Sequence, residues 1–171
     1  HRVILVRHGE STANERLMTS GEAATDPEPA LTARGYAQAR ETAAHLARLG
    51  PCVTVEVSPI MRAVDTAEPF LSFGLVLEKR PAPPMIRYDL REYYTKDAVV
   101  LRGASVAYPG FGWVLPDPEL AADPTQWTRT PDATPAHFAA RVARLLDRWK
   151  RTGSADDRVQ TIAFTHSLLI R

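Results

Sequence analysis

Cysteine is nearly missing from this chain: Cys52 is the single one, which excludes an intrachain disulfide and a cysteine-rich metal site and leaves the redox compartment open. Long apolar runs are missing too. No stretch approaches the roughly 20 residues that span a bilayer, and no signal peptide is visible. A bias of charge is the third absence: 21 Lys and Arg stand against 20 Asp and Glu, for a net charge of +1. Bulk polyanion binding is therefore not implied, and neither nucleic acid nor a membrane is expected as a partner. The composition reads as a soluble protein, expected in the cytoplasm.

What is present reads as an α/β chain. With 171 residues, one domain over 1–171 is expected, burying about two thirds of its unfolded surface. The chain opens at His1 and stops four residues into an apolar run, which leaves room for a further terminal strand or helix. The run Val3-Ile4-Leu5-Val6 reads as a buried strand, and it stops at Arg7-His8-Gly9-Glu10. In open α/β sheets ligands bind beyond the carboxyl ends of such strands, so an arginine, a histidine and a glycine there suggest a phosphate site.

The arrangement recurs twice. Val53–Val57 runs into Ser58-Pro59 and Arg62, and Val159–Thr165 ends on His166. If these strands are parallel neighbours, Arg7, His8, Arg62 and His166 converge on one anion.

Helices alternate with the strands, as an α/β fold requires. Ser11 to Ala30 reads as a polar stretch too irregular for either element. Thr32 is a plausible N-cap for a helix that Gly50-Pro51 closes, with Tyr36, Ala39, Ala43 and Leu46 on its apolar face. Ser58-Pro59 predicts a helix start that places Arg62 in the first turns, where the dipole favours anions. That helix is expected to end near Pro69 to Gly74, before a short strand at Leu75-Val76-Leu77. Thr134-Pro135 repeats the start signal, and Phe138, Val142, Leu145, Leu146 and Trp149 follow as a helical apolar stripe for core packing. Between Arg80 and Asp132 the text is rich in proline, glycine and aromatics, which predicts an irregular insertion or lid at about 80–132. His45 and His137 are expected as exposed helix residues, and Glu10 as a loop charge.

Arg7-His8-Gly9-Glu10 with Ser11 and Asn14, Leu31-Thr32 with Gly35, Ser58-Pro59 with Arg62 and Thr66-Ala67, Leu90-Arg91-Glu92, and His166 together resemble the histidine phosphatase superfamily, also called phosphoglycerate-mutase-like. The resemblance runs in order over nearly the whole chain. It implies a three-layer α/β sandwich whose mostly parallel central sheet is flanked by helices. It also implies a phosphatase that forms a phosphohistidine on His8, the nucleophile, with Glu92 as proton donor. Arg7, Arg62, His166 and Asn14 would hold the phosphate, and Ser20 and Gly21 match substrate positions of mutase relatives. No cofactor and no metal ion are implied. The partner is a small phosphorylated substrate or a phosphoprotein, and the oligomeric state is not set.

The residues suit that chemistry. A neutral imidazole attacks phosphorus near neutral pH without a strong base, and fixed positive donors stabilise the transferring group. An alkoxide leaves slowly without a proton, so an acid must stand by; Asp89 and Glu10 are the carboxylates that compete with Glu92 for that part. Other phosphatase plans fail on the text. Position 58, six residues after Cys52, is serine rather than arginine; no Asp-x-Asp pair occurs; Gly110-Phe111-Gly112 lacks the context of a nucleotide loop.

A mutase is the alternative activity. Mutases of the family carry His-Tyr-Gly after the acid, where this chain has Tyr93-Tyr94-Thr95-Lys96. The aromatic insertion, with Trp113 and Trp127, favours a phosphatase with a bulky, partly apolar leaving group, while Arg87, Arg91, Lys96 and Arg102 keep a charged substrate open. A phosphate-binding pseudoenzyme is the alternative from another class, kept open by Ser167 where relatives commonly have glycine.

Overall fold

The computed structural model describes residues 2–22, 25–49, 54–76, 83–93, 99–103, 108–116, 126–129, 132, 134–152 and 160–170. Its strands are β1 (Arg2–Arg7), β2 (Thr54–Val57), β3 (Met85–Ile86), β4 (Val99–Arg102), β5 (Gln126–Arg129) and β6 (Gln160–Thr165). Its helices are α1 (Thr12–Ser20), α2 (Ala33–Leu46), α3 (Met61–Val76), α4 (Pro135–Thr152) and α5 (Ser167–Ile170).

A parallel sheet in the order β1-β6-β2-β3 forms the centre. β6 lies inside it and is buried along its whole length. Its side chains alternate between two cores, as the period of a strand dictates. Ile162 and Phe164 pack with Leu46 of α2 and with Ala63, Val64, Ala67 and Leu71 of α3. Ala163, pointing the other way, packs with Leu145 and Trp149 of α4 and Leu169 of α5. Helices thus cover both faces, and the expected three-layer α/β architecture is what the chain adopts. Burying a side chain such as Phe164 contributes roughly 1.5–3 kcal/mol. Among the described residues, no helix is long and apolar enough to cross a membrane.

Register decides where the site lies. Arg7 pairs with Thr165, and Val57 with Phe164. The carboxyl ends of β1, β6 and β2 are therefore level, and the residues that follow, His8, His166 and Ser58, leave the sheet side by side.

Several expectations are corrected. Ser11 to Ala30 holds a helix, α1, which has no buried residue and so no apolar period to read. Its signals are local: a capping box between Ser11 and Asn14, and Gly21 in the left-handed conformation at φ 72°. α3 begins at Met61, not at Pro59, because the Ile60 carbonyl accepts from Ala63 at 2.9 Å. It also runs past Pro69 to Val76, where an ending and then a strand were expected. Ala63, Val64, Ala67 and Leu71 bury one face on both sides of the proline, which offsets the roughly 3 kcal/mol of a proline inside a helix. Leu77, Val53 and Val159, and the Gly50-Pro51 stop, lie outside the described residues.

α2 and α4 start where the threonines predict. Thr32 Oγ1 accepts from Gly35 N–H at 3.0 Å, and Thr134 Oγ1 from His137 N–H at 3.2 Å. Leu146, expected in the core, is 48% exposed; Arg141, between Phe138 and Val142, is buried in its place. Tyr36 is likewise 39% exposed beside the buried Ala39, Ala43 and Leu46. His45 and His137 are exposed, as expected.

The segment at 80–132 includes regular elements among its described residues. It supplies β3, the antiparallel pair β4–β5, and short 3-10 turns at Tyr88–Leu90 and Pro109–Phe111. Trp113 packs against the first core and donates to the Tyr108 carbonyl at 2.9 Å. Tyr108 in turn donates to Asp65 of α3 at 2.8 Å. Trp113 is therefore anchored as scaffold, whereas Tyr94, Lys96 and the side chains of Arg102 and Trp127 lie outside what is described.

Candidate active site

His8 follows the last residue of β1, and its backbone N–H donates to the Thr165 carbonyl at 3.0 Å, extending the β1–β6 ladder by one step. The turn after it is packed backbone to backbone. A Cβ at Gly9 would fall inside van der Waals contact of the Gly35 carbonyl, and one at Gly35 inside contact of the Glu10 carbonyl. Glycine is therefore required on both sides, which lets the start of α2 press against the loop. Further bonds fix it: Gly9 N–H donates to Thr66 Oγ1 at 3.0 Å, Glu10 N–H to Gln38 Oε1 at 2.8 Å, and Thr32 N–H to the Glu10 carbonyl at 2.9 Å.

The His8 ring is 6% exposed by residue, and its Nδ1 stands 2.7 Å from the Gly9 carbonyl. A carbonyl only accepts, so Nδ1 carries the proton and Nε2 carries the lone pair. Burial first, then the charges of Arg62 and Arg7, push His8 down from 6.5 to about 4, against the opposing pull of the Gly9 carbonyl. Near neutral pH the ring is a neutral base with one nitrogen available.

His166 is fully buried. Its ring centroid lies 5.2 Å from that of His8, tilted by 56°. Ser58 Oγ shares a hydrogen bond of 2.9 Å with His166 Nε2 and accepts from the Ile60 N–H at 3.3 Å. The other ring nitrogen, Nδ1, is 3.8 Å from Glu92 Oε2. Burial raises the Glu92 carboxyl above its ordinary range, opposed by Arg62, by the N–H groups of Tyr93 and Leu168, and by Arg7. The competing carboxylates are engaged elsewhere. Asp89 pairs with Arg148, and Glu10 accepts from Thr32 Oγ1 at 2.9 Å and lies 3.4 Å from Arg34.

Arg7, His8, Arg62, Glu92 and His166 are thus brought to one place, at the level ends of β1 and β6 and the first turn of α3. Asn14 is not free for a ligand alone, since its Oδ1 accepts from the Ser11 N–H at 3.2 Å and the Ser11 hydroxyl at 3.0 Å. It does line the cleft of about 610 Å³ that reaches Arg7 and His8 between α1 and α2. That cleft is not lined by Arg62, Glu92 or His166, so the geometry around the two histidines locates the chemistry better than the cavity does. Ser20 and Gly21 do not line it either. They are exposed at the end of α1, where Ser20 Oγ donates to the Arg16 carbonyl at 2.9 Å and Gly21 closes the helix.

His8, Glu92 and His166 each offer a ligand atom within 4.8 Å of the others, a donor set of the kind that holds zinc. The positive charges of Arg7 and Arg62, felt by both His8 and Glu92, favour an anion over a dication at this spot.

Sequence reasoning missed the parts played by Ser58, Thr66, Gly35 and Thr165. Ser58 was legible as a helix start, but its hydroxyl serves His166. Gly35 and Thr66 were named within the resembling motifs but given no part, and Thr165 was read only as the end of a strand; their contacts lie across the chain.

The sequence model of the histidine phosphatase superfamily (branch 1) matches residues 3–171. Among curated proteins, the adenosylcobalamin/alpha-ribazole phosphatase of Salmonella typhimurium is 41% identical over 96 residues, 56% of this chain and 42% of that protein. Its Salmonella typhi counterpart matches equally. The matched region thus spans under half of each curated relative. Among solved structures, the alpha-ribazole phosphatase of Shigella flexneri superposes with a TM-score of 0.62 at 21% identity, covering 99% of this chain and 76% of that one. A mycobacterial hydrolase gives 0.60 at 21% identity with the same coverage. At these identities the structural likeness speaks for the fold.

Proposed function

The chain belongs to the histidine phosphatase superfamily, and we propose that it hydrolyses a phosphate monoester through a phosphohistidine on His8, with no metal ion in the reaction. The observation that carries the proposal is the state of His8: buried, neutral, its Nδ1 proton committed to Gly9 and Nε2 left with the lone pair. In the first step Nε2 attacks phosphorus as the ester P–O bond breaks. The leaving oxygen takes the proton of the Glu92 carboxyl, giving an alcohol and N-phosphohistidine. In the second, Glu92 takes a proton from water, the water oxygen attacks phosphorus, and the P–N electron pair returns to His8. Inorganic phosphate departs with Glu92 protonated again.

Arg7, Arg62 and His166 are assigned to the phosphoryl oxygens, where fixed donors stabilise charge as it spreads. Burial supports the acid role, because it holds Glu92 protonated to higher pH. We take the 80–132 segment as part of one domain with the rest of the chain. Since the curated relatives are named alpha-ribazole phosphatases, alpha-ribazole phosphate heads the substrates to assay, followed by an aryl phosphate and small sugar phosphates.

The test is phosphate release from that panel in chelator-treated buffer, with trapping of the phosphoenzyme in alkaline detergent. Acid-labile, base-stable label on the native chain, absent from His8→Ala together with about 10⁴-fold or more of the activity, is the expected result. Unlabelled protein, or activity that survives His8→Ala, overturns the mechanism. Label handed to a second sugar phosphate instead of water would make the chain a mutase.

A further inference from the structure

Glu92 follows a short piece of sheet, bridged from Met85 to Val114 on its outer side and continued by the Arg87 N–H, which donates to the Val57 carbonyl at 2.9 Å. β3 pairs with β2 only through Met85 and Ile86, and a single 3-10 turn, Tyr88–Leu90, leads on from it. What fixes the approach is a set of side chains on the carbonyls of three consecutive residues. Arg141 Nη1 donates to the Asp89 carbonyl at 2.7 Å and to the Arg91 carbonyl at 2.8 Å. The Leu90 carbonyl between them accepts from Thr165 Oγ1 at 2.8 Å. Thr165 is the residue before His166, so the strand that delivers one histidine of the site also grips the segment that delivers the acid.

Arg141 is itself aimed. Asp132 accepts from its Nε at 3.1 Å and its Nη2 at 2.7 Å, and both residues are nearly fully buried. Arg91 joins the same carboxylate at 3.4 Å, donates to the Tyr88 carbonyl at 3.2 Å, and lies 4.1 Å over the Tyr88 ring. A buried ion pair is poor evidence of a gain in stability, because apolar side chains of the same volume often do as well. Forked bonds to the backbone just upstream of a reactive carboxyl are another matter, since no apolar side chain could supply them.

We infer that Arg141, oriented by Asp132 and seconded by Thr165, is a positioning residue that holds Glu92 against the leaving oxygen. The inference rests on the reading of Glu92 as proton donor. It has a signature that a merely structural residue lacks. A proton donor matters for an alkoxide and hardly at all for p-nitrophenolate, which departs unaided.

First-turnover rates are to be read on p-nitrophenyl phosphate and on an alkyl phosphate, for the native chain, Arg141→Gln, Arg141→Lys and Thr165→Val. Arg141→Gln is expected to lose about tenfold or more on the alkyl ester and to stay within about twofold on the nitrophenyl ester, with KM little changed. Arg141→Lys should recover part of the loss, since an ammonium can hold one of the two carbonyls. Thr165→Val should show the same selectivity to a smaller degree, and it decides the matter if Arg141→Gln does not fold. Equal losses on both esters, or none on either, overturn the inference while leaving the phosphatase reading intact. A native chain that releases phosphate from neither ester, nor from alpha-ribazole phosphate or the sugar phosphates, overturns that reading, and this inference with it.

Discussion

His8 and Glu92 stand close together but are held in different ways. His8 is placed by backbone: β1 and β6 pair through Arg2 to Arg7, the ladder continues to His8 itself, and Gly9 and Gly35 bring two main chains into contact. Glu92 comes after a two-residue strand and is placed by side chains from α4, β6 and Asp132. Burial nonetheless pushes both toward their uncharged forms. For a histidine that form is the nucleophile, and for a carboxyl it is the acid. One low-dielectric site thus prepares both partners of the proposed transfer.

Acid pH should separate the two most strongly. The unfolded chain takes a proton on His8 at about 6.5, whereas the folded one refuses it until about 4. The stability linked to His8 is then complete above pH 6.5 and is lost as pH falls toward 4, by roughly 3 kcal/mol. Glu92 has the opposite slope. Its raised carboxyl makes the folded chain bind more protons than the unfolded one, so its contribution is complete below 4.5 and declines as pH rises through the elevated value. Denaturant unfolding from pH 4 to 7 should show the His8 slope in the native chain and its loss in His8→Asn. An unchanged slope in that variant would mean that His8 is not held neutral.

Gly35→Ala tests the backbone-held half. The new methyl must push α2 away from the Glu10 carbonyl, at about 1–3 kcal/mol of stability, and the His8 loop moves with it. First-turnover rates should then fall alike on alkyl and nitrophenyl esters, in contrast to the selective loss expected for Arg141→Gln. A selective loss in Gly35→Ala would erase the distinction between the two kinds of support.

The same contrast explains what the sequence made legible. The strand ending at His166 could be read from its apolar stretch Ile162–Phe164, which is buried on both faces, and the one ending at His8 from the apolar run Val3–Val6. The latter was expected to be buried but lies at the sheet edge, with Val6 alone buried and Leu5 36% exposed. Arg62 and the caps at Thr32 and Thr134 were equally local signals. Glu92 was found through resemblance, since nothing within its own segment marks it. Arg141 went unread because it lies among apolar neighbours on α4, where Leu146 looked like the core residue. Its carbonyl partners are about 50 positions away along the chain, and no periodicity carries such information. Ser11–Ala30 hid α1 for another reason, as a helix with no buried face leaves only its ends to read.

α1 is supported by neither the ladder nor the side-chain clamp, and two of its positions give the smallest effects. Asn14→Ala removes the capping box, which should lower stability by about 1 kcal/mol. If Asn14 also touches the phosphate through the cleft it lines, KM rises as well; if KM holds while stability drops, the residue is a cap and nothing more. Ser20→Ala loses two exposed bonds, to the Arg16 carbonyl and from the Glu22 N–H, and should change stability by no more than about 0.5 kcal/mol. It should leave the kinetics of every ester unchanged. A KM effect at Ser20 would show instead that substrate reaches the far end of α1, about 13 Å along the helix from Ser11, and would enlarge the site well beyond the two histidines.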